Sequence, residues 1–295
     1  MNERAVPQRQ GGIWWLASYP KSGNTWVRTL LANYLADGVA PVDINVLSGL
    51  MPYGAERSWF DNLLGIETSD WPPRELEHWR PLVYEELARR AESPLYFKIH
   101  DAFVRNREGR RVFPAEATAG VVYIVRNPLD VAVSFAHHTA EPLERILAWM
   151  ASPDHALCRP GRLHMFVRQP LSCWSGHVTS WLDEPDLRLL LMRYEDLKKS
   201  PVDLVARLVD FLGLPAESSR VQKAVEQSSF ESLRRQEAEH GFREMQLPDR
   251  PFFRKGVVGS WREALTDRQV RAVIVRHGAV MRRLGYLGER DELLC

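Results

Sequence analysis

Cysteine is scarce in this sequence: three residues in 295, at Cys158, Cys173 and Cys295. No two form a CxxC pair and their number is odd, so neither a zinc cage nor a disulfide framework is expected. Reduced thiols suit the cytosol, and a cytoplasmic protein is the expectation. Charge of one sign is lacking too. Lysine plus arginine number 39 against 38 aspartates and glutamates, a formal net charge of +1. That balance offers no general field for a nucleic acid, although a locally basic pocket is compatible with it. Long apolar runs are also missing. The run Ile13 to Ala17 is too short for the core of a signal peptide, and Lys21 and Arg28 keep the next residues from extending it. Nothing approaches the about 20 apolar residues of a membrane-spanning helix, so no membrane partner is expected.

With 45% hydrophobic residues, the chain can bury a sizeable core. Residues 1–11 are polar and read as a disordered segment, leaving 12–295 as one domain. Ile13–Ala17 reads as a buried strand running into the turn Ser18–Asn24. Trp26, Val27, Leu30, Leu31, Tyr34 and Leu35 then share one face of a helix. Leu95–Ile99, Val121–Val125 and Leu187–Met192 are further strands; the second is almost uniformly apolar, as for a strand covered on both faces. A helix over Leu129–His138 comes after it. Another has Ser200 as N-cap, Pro201 at its first position and Gly213 at its stop. The repeated strand-then-helix order predicts an α/β domain with a central parallel sheet flanked by helices. Residues 41–94, 139–170 and 236–259 read as irregular excursions, of the kind that wall a pocket.

The turn Tyr19–Trp26 (YPKSGNTW) lies between strand and helix, where a phosphate-binding loop sits. Gly23 permits close backbone approach, the first N–H groups of the helix point at an anion, and the helix dipole favours negative charge. Lys21 adds a cation, and Ser22 and Thr25 add hydroxyls. A helix-capping turn alone would account for the small residues, but poorly for Lys21 and Trp26. The lysine precedes the glycine instead of following it, so the loop is P-loop-like and not a Walker loop. Arg126 follows a strand end, where α/β folds place ligand sites. An ion pair with Asp130, one turn onward, is the structural alternative. Arg254-Lys255-Gly256 supplies a third basic segment, which could equally be a solvated loop.

Taken together these segments resemble the PAPS-dependent cytosolic sulfotransferases, where PAPS is 3′-phosphoadenosine-5′-phosphosulfate. Tyr19–Trp26 resembles that family's 5′-phosphosulfate loop, Tyr123–Ser134 (YIVRNPLDVAVS) its 3′-phosphate segment, and Arg254–Trp261 (RKGVVGSW) its late RKGxxGDW segment. The resemblance implies that Lys21, Ser22, Gly23, Asn24, Thr25 and Trp26 hold the phosphosulfate, with Lys21 close to the bridging oxygen. It implies that Arg126, Ser134, Arg254, Lys255 and Gly256 bind the 3′-phosphate. Tyr194 in Arg193–Lys198 (RYEDLK), and Ser228 and Phe230 in Ser228–Leu233 (SSFESL), are then expected near the adenine. Phe97–His100 (FKIH) resembles the segment with the catalytic histidine and its lysine neighbour. His100 is therefore expected as general base, with Lys98 and Lys21 stabilising the oxygen on which PAP leaves. Asp101 could instead orient the imidazole.

Ser260 and Asn24 depart from the family's commoner aspartate and threonine. A dimer motif is degraded: Arg262 and Thr266 fit it, Asp267 and Arg271 do not, so monomer and homodimer both stay open. His137 and His138 lack the i, i+4 spacing of a helical metal pair, no acidic cluster suggests magnesium, and no metal is expected. The expected acceptor is a small molecule with an apolar or aromatic part, sulfated on a hydroxyl or else on an amine. Tyr53, Trp59, Trp71, Trp79, Phe103, Trp149 and Phe166 are candidates for its pocket, at least half of them expected to pack loops only. An ATP-dependent kinase and a non-catalytic PAP-binding module are the alternatives; the first lacks its Walker lysine, and His100 speaks against the second.

Overall fold

A computed structural model describes residues 12–158, 165–245, 247 and 249–294. The expected disordered segment 1–11 and Cys295 lie outside the described residues. In chain order the elements are β1 (Ile13–Ser18), α1 (Asn24–Ala36), α2 (Leu47–Leu50), α3 (Arg57–Leu64), α4 (Pro73–Arg90), β2 (Leu95–Ile99), β3 (Thr118–Val125), α5 (Pro128–Thr139) and α6 (Leu143–Ala151). Then come β4 (Ala156–Leu157), β5 (Gln169–Pro170), α7 (Trp174–Leu182), β6 (Leu189–Arg193), α8 (Tyr194–Lys199), α9 (Pro201–Phe211), α10 (Ser218–Gln227), α11 (Phe230–His240) and α12 (Asp267–Arg283).

Strands β1, β2, β3 and β6 form one sheet in the order β2-β1-β3-β6, parallel throughout. Alternate side chains feed two cores. Trp15, Ala17, Phe97, Val121, Tyr123 and Val125 face the layer of α4, α5, α7 and α12. Trp14, Leu16, Val122, Ile124 and Met192 face α1, α9 and α10. Burial on both sides is why these strands are nearly continuous apolar runs. Since β1 lies between β2 and β3, with α1 and α5 on opposite faces, the strand order reverses at the β1/β3 boundary. The carboxyl ends there open into a crevice, the usual ligand position in such folds.

Several expected elements hold with shifted ends. The strand expected over Leu187–Met192 runs Leu189–Arg193, because pairing to β3 begins at Val121↔Leu189, after Asp186 takes a left-handed φ of 65°. The helix at Pro201 starts and stops as read, with Gly213 at φ 75° just past its end; the Ser200 side chain, however, does not cap it. Two stretches read as irregular contain helices. The 18-residue α4 carries Pro81 and the buried Arg80 in its interior, which spoil the apolar stripe that would have revealed it. The nine-residue α6 fills part of 139–170.

Candidate active site

The turn after β1 is shaped by two left-handed residues, Lys21 at φ 68° and Gly23 at φ 104°. A Cβ on Gly23 would lie 2.7 Å from the Tyr194 ring, so glycine is required for close approach as well as for its torsion. Asn24 Nδ2 donates to the Leu16 carbonyl at 2.8 Å and to Ser18 Oγ at 3.2 Å, tying the turn back onto β1. No side chain caps the N-terminus of α1, so its first N–H groups remain for an anion. The Lys21 ammonium lies 3.9 Å over the Phe252 ring. Burial, then the charges of Lys98 and Arg126, push its pKa down to about 7.

Across the crevice, Arg126 leaves β3 and is braced on three sides. Its guanidinium lies 4.3 Å over the Tyr194 ring, donates to the Val257 carbonyl at 2.9 Å, and stands 3.8 Å from Asp130. Its Nε is buried and without a protein partner. Asp130 is occupied elsewhere: it accepts from Gly259 N (2.8 Å), Ser260 Oγ (2.8 Å) and Trp261 N (3.1 Å). The ion-pair alternative for Arg126 therefore describes only its weakest contact, while Asp130 fastens the late loop to α5. In that loop Gly256, at φ 62°, packs so closely on Phe230 that a Cβ would fall 2.3 Å from the ring. Lys255 reaches Glu263 at 2.6 Å.

His100 stands just past the end of β2. Its Nδ1 is 2.8 Å from the Ser18 carbonyl, which can only accept, so Nδ1 carries the proton and Nε2 is left as the basic nitrogen. Behind it, His177 Nε2–H donates to the His100 carbonyl at 3.0 Å and receives the Tyr123 hydroxyl on Nδ1 at 2.8 Å. Desolvation, then the charge of Lys98, holds the His100 pKa well below its usual value, and burial lowers His177 to about 4. Asp101 does not orient His100. Its carboxylate is buried and paired with the equally buried Arg80 at 2.6 Å, which anchors β2's end to α4. Lys98 is held by Tyr53 Oη and by Glu244, whose Oε2 lies 2.9 Å away.

A single cleft of about 490 Å³ collects most of the expected residues: Lys21, Gly23, Asn24, Thr25 and Trp26, then Lys98, His100, Arg126, Ser134, Tyr194 and Phe230, and finally Arg254, Lys255 and Gly256. Ser22 and Ser228 do not reach its wall. Ser22 is buried beneath the turn. Ser228 Oγ accepts from Asn33 Nδ2 at 2.9 Å, while its carbonyl accepts from Trp26 Nε1 at 2.9 Å. Of the seven candidate aromatics, only Tyr53 and Phe166 line the cleft. Trp59 stacks on Phe97, Trp71 tilts against Trp79, Phe103 meets Trp181, and Trp149 stacks on His155. His137 and His138 both line the cleft wall; burial lowers His138 to about 3. Sequence reasoning missed Glu244, Arg28 and His177, since residues 146 or 216 positions from their partners leave no local spacing to read. Lys198, 5.4 Å over the Trp26 ring, was also missed, although it stands in the RYEDLK segment around Tyr194.

The residues present fit a nucleotide with two anionic ends. One end would meet the uncapped α1 terminus and Lys21, and the other Arg126 and the 254–256 loop, with Gly23 against Tyr194 and Gly256 against Phe230 leaving no room for a Cβ. Among the described residues no group of three His, Cys, Asp or Glu side chains converges on a metal position.

Residues 13–285 match the sulfotransferase domain family. Cytosolic sulfotransferase 1 of Arabidopsis thaliana is 29% identical over 261 residues, covering 85% of this chain and 73% of that protein. Sulfotransferase 1E1 of Homo sapiens is 26% identical over 270 residues, covering 85% and 77%. The fold is shared with mouse sulfotransferase SULT7A1 complexed with PAP (TM-score 0.58, 23% identity, 93% of this chain and 84% of that one). It is shared too with retinol dehydratase in complex with androsterone and the inactive cofactor PAP (TM-score 0.60, 21% identity, 93% and 82%). With its three basic segments gathered on one crevice and its match running almost end to end, the chain belongs to the sulfotransferase domain family and is a PAPS-dependent sulfotransferase.

Proposed function

We propose that this enzyme sulfates a hydroxyl on a small, largely apolar acceptor in the cytosol, with His100 as general base. One observation carries the reading: the cations of the nucleotide loops and His100, whose Nδ1 is taken by the Ser18 carbonyl, line the same cleft. When bound, PAPS supplies an electrophilic sulfur on a good phosphate leaving group. His100 Nε2 takes the acceptor's proton as the oxygen attacks sulfur, and the S–O bond to the phosphate breaks. Lys21, with Lys98 behind it, offsets the charge appearing on that phosphate oxygen. Tyr53, Phe135, Phe166 and Phe252 line the cleft with rings and exclude water. The androsterone and retinol held with PAP by retinol dehydratase support an apolar acceptor of modest size. Among the described residues no helix is long and apolar enough to cross a membrane. The cytosolic sulfotransferase names among the relatives support the location.

Calorimetric titration with PAP, without metal, tests the nucleotide site. Wild type is expected to bind, and Arg126→Ala to weaken binding by about 1.5–3 kcal/mol, roughly 10- to 150-fold. Absence of PAP binding by wild type would remove the reading. Affinity should also depend on pH. Lys21, lowered to about 7, and Lys98, lowered to about 8, are cationic below those values and neutral above them. Bound anion favours the charged forms, so PAP affinity is expected to fall as pH rises from 7 to 9, by about tenfold or more. A flat profile over that range would contradict the assignment of these two cations.

A further inference from the structure

We propose that Glu244 is a positioning residue for the transfer reaction: held by the buried Arg28, its carboxylate fixes the Lys98 ammonium in the cleft beside Tyr53. This rests on the sulfuryl transfer proposed above.

Glu244 lies beyond the end of α11 and reaches the cleft with its side chain only 7% exposed. Oε1 accepts from Arg28 Nη1 at 2.7 Å. Oε2 accepts from Lys98 Nζ at 2.9 Å, from Tyr53 Oη at 3.0 Å and again from Arg28 at 3.0 Å. Three donor groups make four hydrogen bonds to this one carboxylate, two of the donors being cations that favour its ionised form. The group is therefore a fixed counter-ion and no base. Arg28, fully buried on α1, cannot turn away; its other terminal nitrogen donates to the Met51 carbonyl at 3.0 Å.

Lys98 is the flexible member of the set, and its surroundings remove that flexibility. Tyr53 is zipped beside it by two backbone hydrogen bonds, Lys98 N to Pro52 O (2.8 Å) and Gly54 N to Lys98 O (2.9 Å). The Tyr53 ring lies 4.0 Å from the ammonium and its hydroxyl accepts from it. Glu244 closes the remaining direction. A lysine so restrained is oriented before any ligand arrives, which is how a positioned charge gains catalytic value. Two cations share one carboxylate, so the cluster keeps a net positive charge for the phosphate. The titratable groups around Lys98 are Glu244, Arg28 and Tyr53, with Lys21, His100 and His138 also sensing its charge. Burial lowers Lys98 to about 8, and the charge of Glu244 is what opposes a further fall.

The test needs no acceptor. PAP is titrated at pH 8 in two buffers of different ionisation enthalpy, and the protons taken up on binding are counted. Replacing the carboxylate in Glu244→Gln should leave Lys98 mostly neutral in the free enzyme. Proton uptake should then rise by up to about half a proton, and PAP affinity should fall several-fold. Both changes should vanish in a Lys98→Ala background, where adding Glu244→Gln has no further effect. Glu244→Asp keeps a charge for Arg28 but withdraws by roughly one bond, about 1.5 Å, and should show a smaller increase; it decides the matter alone if the glutamine variant does not fold. Unchanged uptake in the variants that fold would overturn the proposal. So would a glutamine effect that persists without Lys98, since Glu244 would then act only through the fold. Failure of wild type to bind PAP removes the transfer reading itself, and this proposal with it.

Discussion

Replacing His100 by alanine is expected to lower kcat with PAPS by about 10²- to 10⁴-fold on any acceptor the wild type turns over, with PAP affinity changed no more than about twofold. The asymmetry comes from the contacts of the ring. Nδ1–H is given to the Ser18 carbonyl, so the imidazole has one tautomer and presents Nε2 as its base. The base is also in the right form. Desolvation and the neighbouring Lys98 charge hold its pKa well below 6.5, so the ring stays neutral as pH falls through that value. The acid limb of kcat should therefore lie well below pH 6.5. Steady-state kinetics of wild type and His100→Ala, paired with calorimetry of PAP, checks both points. A variant that loses PAP binding in step with kcat would show that His100 holds the nucleotide and does not move a proton.

Asp101→Ala is expected to be the most damaging change to stability near the site, costing about 3–5 kcal/mol. Arg80 and Asp101 are both fully buried, 2.6 Å apart. Without the carboxylate the guanidinium keeps only the Tyr84 hydroxyl and, at 3.4 Å, the Arg168 carbonyl. Isolating a buried charge is what makes the loss large, so the double replacement Arg80→Met with Asp101→Leu should recover much of it. Thermal unfolding should show the single variant lowered by on the order of 10 °C, with the double variant close to wild type. The backbone carbonyl of residue 101, which the alanine variant keeps, still receives Trp181 Nε1–H and should hold the strand end that carries His100. A single variant as stable as wild type would mean that water reaches Arg80.

The two residues also show where sequence reading stops. The place of His100 in the cleft could be expected from sequence, because FKIH is a contiguous segment at a strand end. Asp101, its neighbour, reads locally as an orienter of the imidazole, but the partner that claims it stands 21 residues back, in a helix hidden by Pro81. The same division runs through the site. Tyr19–Trp26, Arg126 and Arg254–Gly256 are short runs of backbone and neighbouring side chains, so the features that single them out are written locally. Glu244, Arg28 and His177 act through single long-range contacts, and an isolated acid or histidine in sequence carries no sign of its partner. Ser228 is the converse case: its motif resemblance placed it near the adenine, whereas its hydroxyl is turned to Asn33 on α1. The parallel sheet was legible from apolar strands separated by helices. The strand order was not, because it depends on crossovers that no local pattern records.

Asp130 has one more consequence. By gripping Gly259, Ser260 and Trp261 while Arg126 holds Val257, α5 closes a ring of chain between positions 126 and 261. The stretch inside that ring includes part of the cleft wall: Leu157, Cys158, Phe166 and Gln169 on one arm, Met245 and Phe252 on the other. The ring is closed at one place, beside α5, so a change of length in either arm leaves the Arg126–Val257 and Asp130 contacts in place.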